Sequence, residues 1–153
     1  MHKSLIRGGV HPSYHKGLAS DVAIEAAPLP AKLEIPLSQH LGIPAAPTVS
    51  KGDQVQPGDL IAEAPKLISA NVHSPAAGKV RNVVQKPLPG GRMCDYVEIQ
   101  VDEEATLAHE WQEREVDLGA VDQQWLARTL REAGIVGMGG ATFPTDVKFS
   151  PPP

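Results

Sequence analysis

The stretch of this sequence best suited to chemistry lies between Gly137 and Lys148. Gly137, Gly139 and Gly140 remove side chains within four residues, so the backbone there can approach a ligand closely. Glycine also tolerates a positive φ, which lets successive N–H groups converge on an anion. Phe143 adds a flat apolar surface, and Lys148 adds a cation within reach of a phosphate. These residues form the predicted cofactor-binding set.

Two familiar nucleotide-binding patterns do not fit this stretch. A Walker loop has Gly-Lys-Ser/Thr after its glycines, and that sequence does not follow here. A dinucleotide fingerprint follows a strand and has glycine or alanine at its sixth position, whereas a helical pattern precedes this stretch and Thr142 occupies that position. A helix-ending loop with glycines kept for packing is the structural alternative. No side chain in the predicted set is a general base, so the stretch is a binding element and no catalytic residue is predicted.

The histidines do not form a recognisable site. His11 and His15 are four residues apart, but Pro12 argues against the helix that would place them on one face, so no metal site is predicted. His40 and His73 each lie in a turn region, where a structural role is the simpler interpretation. The sequence offers no acid and nucleophile near either of them, which argues against a catalytic triad.

Length and composition restrict the class of protein. A chain of 153 residues corresponds to one domain, or to a small domain and part of a second. The net charge of −4 and the lack of a basic stripe argue against nucleic acid as a partner. No apolar run approaches the roughly 20 residues that span a bilayer, and the N-terminus lacks the apolar region of a signal peptide. We therefore expect a soluble, cytoplasmic segment.

Cys94 is the single cysteine of the chain. One cysteine excludes an internal disulfide framework. It also means that this chain cannot ligate an iron–sulfur cluster alone, because such clusters usually need four thiolates. No helix N-terminus or basic neighbour is predicted near Cys94, so we expect an unreactive thiol.

Residues 31–101 have the pattern of short strands separated by turns. Leu33, Ile35 and Leu37 alternate with polar residues, and residues 96–101 alternate in the same way. Strands are also predicted at residues 60–63 and 80–84. Turns are predicted at Lys51-Gly52-Asp53, Pro57-Gly58-Asp59 and Ala77-Gly78-Lys79. This arrangement predicts a mainly β fold, as a small barrel or sandwich.

The spacing in this unit resembles the barrel-sandwich hybrid of biotinyl and lipoyl domains. The resemblance rests on Gly-Asp-x-Val-x-x-Gly-x-x-Ile, which begins at Gly52, and on His-Ser-Pro-x-x-Gly-x-Val, which begins at His73. Such domains can carry a modified lysine, and Lys66 is the candidate here. However, Pro65 precedes it, and neither Asp-Lys-Ala nor Met-Lys-Met occurs. We expect the fold without the carrier chemistry.

A helix is predicted after the barrel, from Leu118 to Ala133, following an acidic connector at 102–117. Asp117 is its predicted N-cap, and Gly134 is its left-handed stop. Apolar residues at i, i+3, i+4 and i+7 form one stripe, which we expect to pack against the rest of a following domain. A nucleotide needs concave burial of most of its surface, and one loop cannot provide that. The sequence therefore predicts only the start of a second domain.

Five motifs in order make the chain resemble RnfC proteins, the peripheral subunit of the Rnf ferredoxin–NAD oxidoreductase. They are Gly8-Gly9-Val10-His11-Pro12, Gln39-His40-Leu41-Gly42, Lys51-Gly52-Asp53, His73-Ser74-Pro75-Ala76-Ala77-Gly78 and the loop from Gly137 to Lys148. The loop is also similar to that of the NADH-binding flavoprotein subunit of respiratory complex I. In those proteins its glycines and lysine cradle FMN and border the NADH site. Thr142 and Asp146 stand where the family usually has glycine, and Asp146 is expected to bring negative charge near the phosphate.

The resemblance implies an N-terminal fragment of a membrane-associated electron-transport subunit at the cytoplasmic face. Its partners would be the other subunits of an ion-translocating complex. FMN and NADH would bind in the parent, with 4Fe-4S clusters beyond Pro153, and this fragment alone would be inactive. The implied domains are an arm (1–30), the barrel-sandwich hybrid (31–101), the acidic connector (102–117) and the start of an α/β flavin-binding domain (118–153). A docking module without a cofactor and a cobalamin-reductase-like flavoprotein are the alternatives.

Overall fold

A computed structural model describes residues 13–105 and 115–150 of the chain, and its regular structure consists mainly of seven strands. The strands are β1 (Lys32–Pro36), β2 (Ala46–Pro47), β3 (Gln54–Val55), β4 (Leu60–Glu63), β5 (Val72–His73), β6 (Gly78–Pro87) and β7 (Met93–Val101). One antiparallel sheet has the order β1-β7-β6-β3, and a second has the order β2-β4-β5. The motif containing His11 lies outside the described residues.

The two sheets enclose one apolar core. Its buried members come from both sheets and their connections: Leu37, Ala45, Val55, Ile61, Ala62, Val72, Val80, Cys94, Val97 and Ile99. Val97, Ile99 and Val101 of β7 are buried at every second position, as expected for a strand with one face on the core. The mainly β prediction is confirmed. The Cys94 thiol is buried in this core.

The predicted turn at Ala77-Gly78-Lys79 is wrong, because Gly78 and Lys79 already belong to β6. Gly78 pairs with Val101 on β7. A Cβ atom at Gly78 would collide with the Gln100 carbonyl oxygen. Glycine is needed here for the close approach of two strands, which is another common reason for glycine within a strand.

The helix begins later than the sequence pattern predicts. Residues Leu118–Ala120 form a separate 3-10 turn, and the helix α1 covers Gln123–Glu132. Asp117 caps only the turn, by accepting a hydrogen bond from the Gly119 N–H at 2.9 Å. Asp122 is the N-cap of α1, and its carboxylate accepts from the Trp125 N–H at 2.7 Å. Gly134 ends the helix with a φ of 65°, as predicted.

Four charged side chains form a closed ring of ion pairs across β1, β7 and β6. Lys32 Nζ lies 2.8 Å from Glu34 and 3.1 Å from Glu98, while Lys86 Nζ lies 2.8 Å from Glu34 and 2.7 Å from Glu98. The hydrogen bond from Lys32, and next that from Lys86, lowers the pKa of Glu34 from 4.5 to about 2. The same lysines lower the pKa of Glu98, with Lys86 as the larger cause.

Replacing Glu34 with glutamine is expected to reduce the stability of the barrel in a pH-dependent way. A carboxylate whose pKa is lower in the folded state stabilises that state above its unfolded pKa. The stabilisation is therefore complete above pH 4.5 and is lost as the pH falls toward about 2. Urea unfolding followed by circular dichroism should show a difference between the wild type and Glu34→Gln that shrinks over this range. Glu63→Gln on β4 is the control, because Glu63 joins none of the ion pairs among the described residues. A constant difference across the range would contradict the assignment.

Candidate functional site

The glycine stretch forms a closed loop after α1. Its base is an antiparallel bridge between Val136 and Pro144, flanked by two backbone hydrogen bonds. The Thr145 N–H donates to the Ile135 carbonyl at 3.0 Å, and the Gly137 N–H donates to the Phe143 carbonyl at 3.0 Å. Residues 138–142 therefore project from a hydrogen-bonded base. We call residues 137–143 the glycine loop.

The glycines of this loop leave its outer surface open. Gly139 and Gly140 are exposed, and a Cβ atom added to either would meet nothing within 4 Å. Neither has a left-handed φ, and nor does Gly137. The left-handed residue of the loop is Thr142, with a φ of 50°. The expectation that these glycines supply positive φ is therefore wrong. They supply bare backbone instead, while the turn falls on a residue for which such a φ is uncommon.

Lys148 lies over the base of the loop, at the end of the short helix α2 (Thr145–Lys148). Its Nζ is 6.0 Å from the centroid of the Phe143 ring, at the outer limit of a cation–π contact. A Cβ atom on Gly137 would come within 3.2 Å of the same Nζ. Lys148 joins none of the ion pairs of the described residues. Gly137, Phe143 and Lys148 are thus neighbours, as the sequence-based grouping requires.

Asp146, which the sequence leads us to expect as a negative charge near the phosphate, is paired with a cation of α1. Its side chain is buried and accepts a hydrogen bond from the Arg131 guanidinium at 3.1 Å. Arg131 lies on α1, and α1 packs against α2. An ion pair to arginine compensates the carboxylate charge, so it adds little negative potential where Lys148 lies.

A cleft of about 230 Å³ is lined by residues of both the barrel and this region. Gln39, His40, Asn71, His73, Gly134 and Val136 are among the residues that line it. The His40 ring is buried, and its Nδ1 lies 3.2 Å from the Leu41 carbonyl. His40 Nε2 has no hydrogen-bond partner among the described residues. Two histidines of separate sequence motifs therefore meet at one cleft, which their spacing in the sequence did not indicate.

Lys66 lies in the loop that joins β4 to β5, two neighbouring antiparallel strands. This is the kind of hairpin tip at which carrier domains present a lysine. Here the Lys66 carbonyl accepts a hydrogen bond of 2.7 Å from Arg131. The side chains of residues 65–68 are exposed, and it is the backbone of the loop that binds α1.

The two small sheets around one core, continued by α1 into an exposed glycine loop, define a barrel-sandwich hybrid domain with an attached C-terminal segment. The family described as RnfC Barrel sandwich hybrid domain matches residues 4–104. The chain belongs to that family, and the resemblance inferred from its motifs is confirmed.

Curated relatives match nearly the whole of the chain. It is 42% identical to the C subunit of the proton-translocating ferredoxin:NAD(+) oxidoreductase complex of Clostridium ljungdahlii, with 96% of this chain and 32% of that protein covered. It is 40% identical to the C subunit of the ion-translocating oxidoreductase complex of Rhodobacter capsulatus (95% and 28% covered). The C subunit of the Na(+)-translocating ferredoxin:NAD(+) oxidoreductase complex of Acetobacterium woodii is 36% identical (96% and 33% covered). The chain spans about a third of the length of these relatives. Within residues 13–105 and 115–150, no helix has the length and apolar character needed to cross a membrane.

Proposed function

We propose that this chain is the N-terminal part of the RnfC-type subunit of an ion-translocating electron-transport complex. In that subunit, electrons would pass between NADH, FMN and 4Fe-4S clusters. The proposal is supported by family membership and by relatives whose names specify ferredoxin:NAD(+) oxidoreductase complexes. Because the chain has one cysteine, other segments of the polypeptide would ligate the clusters.

The observation that carries the flavin assignment is the open backbone of the glycine loop beside Lys148. Gly139 and Gly140 leave space that any Cβ atom would fill, and the Lys148 ammonium is not engaged by a carboxylate of the described residues. A flavin phosphate needs both a close backbone approach and a compensating cation. The residues therefore fit FMN. Lys148 would pair with the phosphate, and Phe143 would form an apolar wall of the site.

Bound FMN would supply hydride acceptance from NADH and electron release toward the clusters. The task of this chain is narrower. Its glycine loop would hold the cofactor by backbone contact, and Lys148 would balance the phosphate charge. No residue of the loop carries a group suited to proton abstraction, so we propose a binding role without a catalytic one for Gly137, Gly139, Gly140, Phe143 and Lys148.

The proposed organisation follows from the same features. Residues 31–101 would be the barrel, 102–117 a connector, and 118–153 the beginning of the flavin-binding domain, after an arm at 1–30. Several apolar side chains of the third segment are exposed, including Leu118, Met138 and Phe149. Such exposure is consistent with packing against further parts of that domain. The subunit would lie peripherally at the cytoplasmic face, in contact with other subunits of the complex.

Calorimetric titration with FMN and NADH tests this function. We expect no binding of FMN to the 153-residue chain and saturable binding to a polypeptide extended to the length of its curated relatives. The difference is expected because one loop cannot bury a flavin, whereas a completed domain can.

The circular dichroism spectrum of each polypeptide should be recorded alongside the titration. If both polypeptides are folded and neither binds FMN, the glycine loop is structural and the proposed function is wrong. FMN binding together with electron transfer from NADH to an added cobalamin would favour the cobalamin-reductase-like alternative.

A further inference from the structure

The loop between β4 and β5 directs three backbone carbonyls at one guanidinium group. Arg131 donates to the Lys66 carbonyl at 2.7 Å, and to those of Ala64 and Leu67 at 3.4 Å each. Arginine suits this position because its planar fork presents several donors in fixed directions. One side chain of α1 thereby holds three points of the barrel.

The same guanidinium also holds the element that carries Lys148. Arg131 Nη1 lies 3.1 Å from the buried carboxylate of Asp146, the second residue of α2. Lys148 is the last residue of that helix. Arg131 therefore connects the β4–β5 loop directly to the helix that places the proposed phosphate cation.

Hydrogen bonds at two further places, among the described residues, join the barrel to this segment. The Leu41 N–H donates to the Thr142 carbonyl at 3.1 Å, next to the left-handed turn of the glycine loop. Asn71, at the end of the β4–β5 loop, donates from Nδ2 to the Glu132 carbonyl at 3.4 Å. These hydrogen bonds fix the glycine loop and the end of α1 against the barrel. Among the described residues, Arg131 is the side chain that links the barrel to α2 through an ion pair.

Arg131 also compensates the charge of the Asp146 carboxylate. Asp146 is buried, and a buried carboxylate without its partner is strongly unfavourable. If Arg131 were absent, that carboxylate would be drawn toward solvent, which would shift α2, and its charge would no longer be compensated. Either effect would weaken an anion site at the glycine loop, because Lys148 would be displaced with α2 or the uncompensated carboxylate would add negative potential near it.

We propose that Arg131 is the positioning residue through which the barrel fixes both the place and the charge of the flavin-phosphate site, with Asp146 as its partner. The proposal rests on the function proposed above, since it concerns the same glycine loop. Arg131 itself would not touch the cofactor, because its donors are directed at the β4–β5 loop and Asp146. It acts by fixing the position of α2, and therefore of Lys148, relative to the barrel.

The functional test measures FMN affinity in the polypeptide extended to the length of its relatives. We expect Arg131→Gln to weaken FMN binding about tenfold or more, the usual scale for losing hydrogen bonds to a charged group. The near-ultraviolet circular dichroism band of any bound flavin should change as well, because the phosphate anchor has moved. Arg131→Lys keeps the charge toward Asp146 but loses the fork, so its affinity should be intermediate.

Two further variants separate position from general instability. Arg128→Gln is the matched control on the same helix, because Arg128 is exposed and donates none of the side-chain hydrogen bonds found among the described residues. It should bind FMN as the wild type does. Adding Asp146→Asn to Arg131→Gln removes the stranded carboxylate and should restore part of the affinity. The absence of any recovery would overturn the role assigned to charge.

Hydrogen exchange on the 153-residue chain tests the positioning without any cofactor. In Arg131→Gln, the Gly137 and Thr145 amides should lose protection, while those of Val97 and Ile99 in the barrel should keep theirs. Unchanged protection at Gly137 and Thr145 would overturn the proposal, whatever the polypeptide binds. If the extended wild type holds no FMN, the proposed function fails instead. Lost protection with unchanged FMN affinity would overturn the claim that the link serves the cofactor.

Discussion

Replacement of Gly140 with valine is expected to abolish flavin loading of the extended polypeptide while leaving the barrel as stable as in the wild type. Gly140 is exposed, its φ is not left-handed, and a Cβ atom there meets nothing within 4 Å. The substitution therefore creates neither a steric clash nor backbone strain in the chain itself. Its effect on flavin should come from the branched side chain occupying the space through which the loop backbone approaches the cofactor.

The measurement is the visible flavin absorbance per chain after purification, together with the urea midpoint of the barrel. Gly90→Val is the control, because Gly90 also has open space around its Cβ position and no left-handed φ, and it lies in the turn between β6 and β7. Gly90→Val should load flavin normally. Stoichiometric flavin in Gly140→Val would contradict the assignment of the glycine loop.

The barrel could be predicted because its signals are local. Alternation along β7 and the left-handed glycines Gly52 and Gly58 follow from the preferences of single residues and their neighbours. Local signals are ambiguous where the same residue type is used in more than one structural role. Gly78 is read as a turn residue, although it is required by the approach of β7. Asp117 and Asp122 are both good caps, and only the structure shows which of them begins α1.

The glycine loop could be found from sequence because its composition is unusual, but its attachment to the barrel could not. Arg131 binds backbone carbonyls, and every residue has one. The side chains of Ala64, Lys66 and Leu67 therefore hold no signal of the contact, which spans more than sixty positions of the chain. The pairing of Asp146 could not be predicted for a related reason. A carboxylate near a predicted phosphate site is read as repulsive unless its partner on another helix is known.

The β4–β5 loop also explains the position of the Gln39–Gly42 motif. The Ile43 N–H donates to the Ile68 carbonyl at 3.0 Å, and Ser69 Oγ donates to the Ile43 carbonyl at 2.8 Å. Within the motif, Leu41 donates to the glycine loop. Thus the motif, α1 and the glycine loop all depend on one hairpin connection of the barrel. We therefore expect a substitution that disturbs the packing of the β4–β5 loop to disturb the glycine loop as well.

Replacement of Gly42 with alanine should therefore produce a large loss of stability. Its φ of 102° lies in the region that favours glycine, and alanine there is expected to cost about 1–3 kcal/mol. In addition, a Cβ atom would collide with the Ile68 carbonyl oxygen and crowd its side chain. Overpacking of this kind costs about another 1–3 kcal/mol.

Gly52→Ala separates these two contributions to the free energy of unfolding. Gly52 has nearly the same φ, 104°, but an added Cβ atom there meets nothing within 4 Å. Urea unfolding of both variants, followed by circular dichroism, should show that Gly42→Ala is less stable than Gly52→Ala by about 1–3 kcal/mol, the overpacking contribution alone. Since the collision involves the β4–β5 loop, Gly42→Ala should also lower the hydrogen-exchange protection of the Gly137 amide, whereas Gly52→Ala should not. Equal stability of the two variants would mean that the β4–β5 loop moves away from the added Cβ atom at no measurable cost. Such a flexible β4–β5 loop could not position the glycine loop.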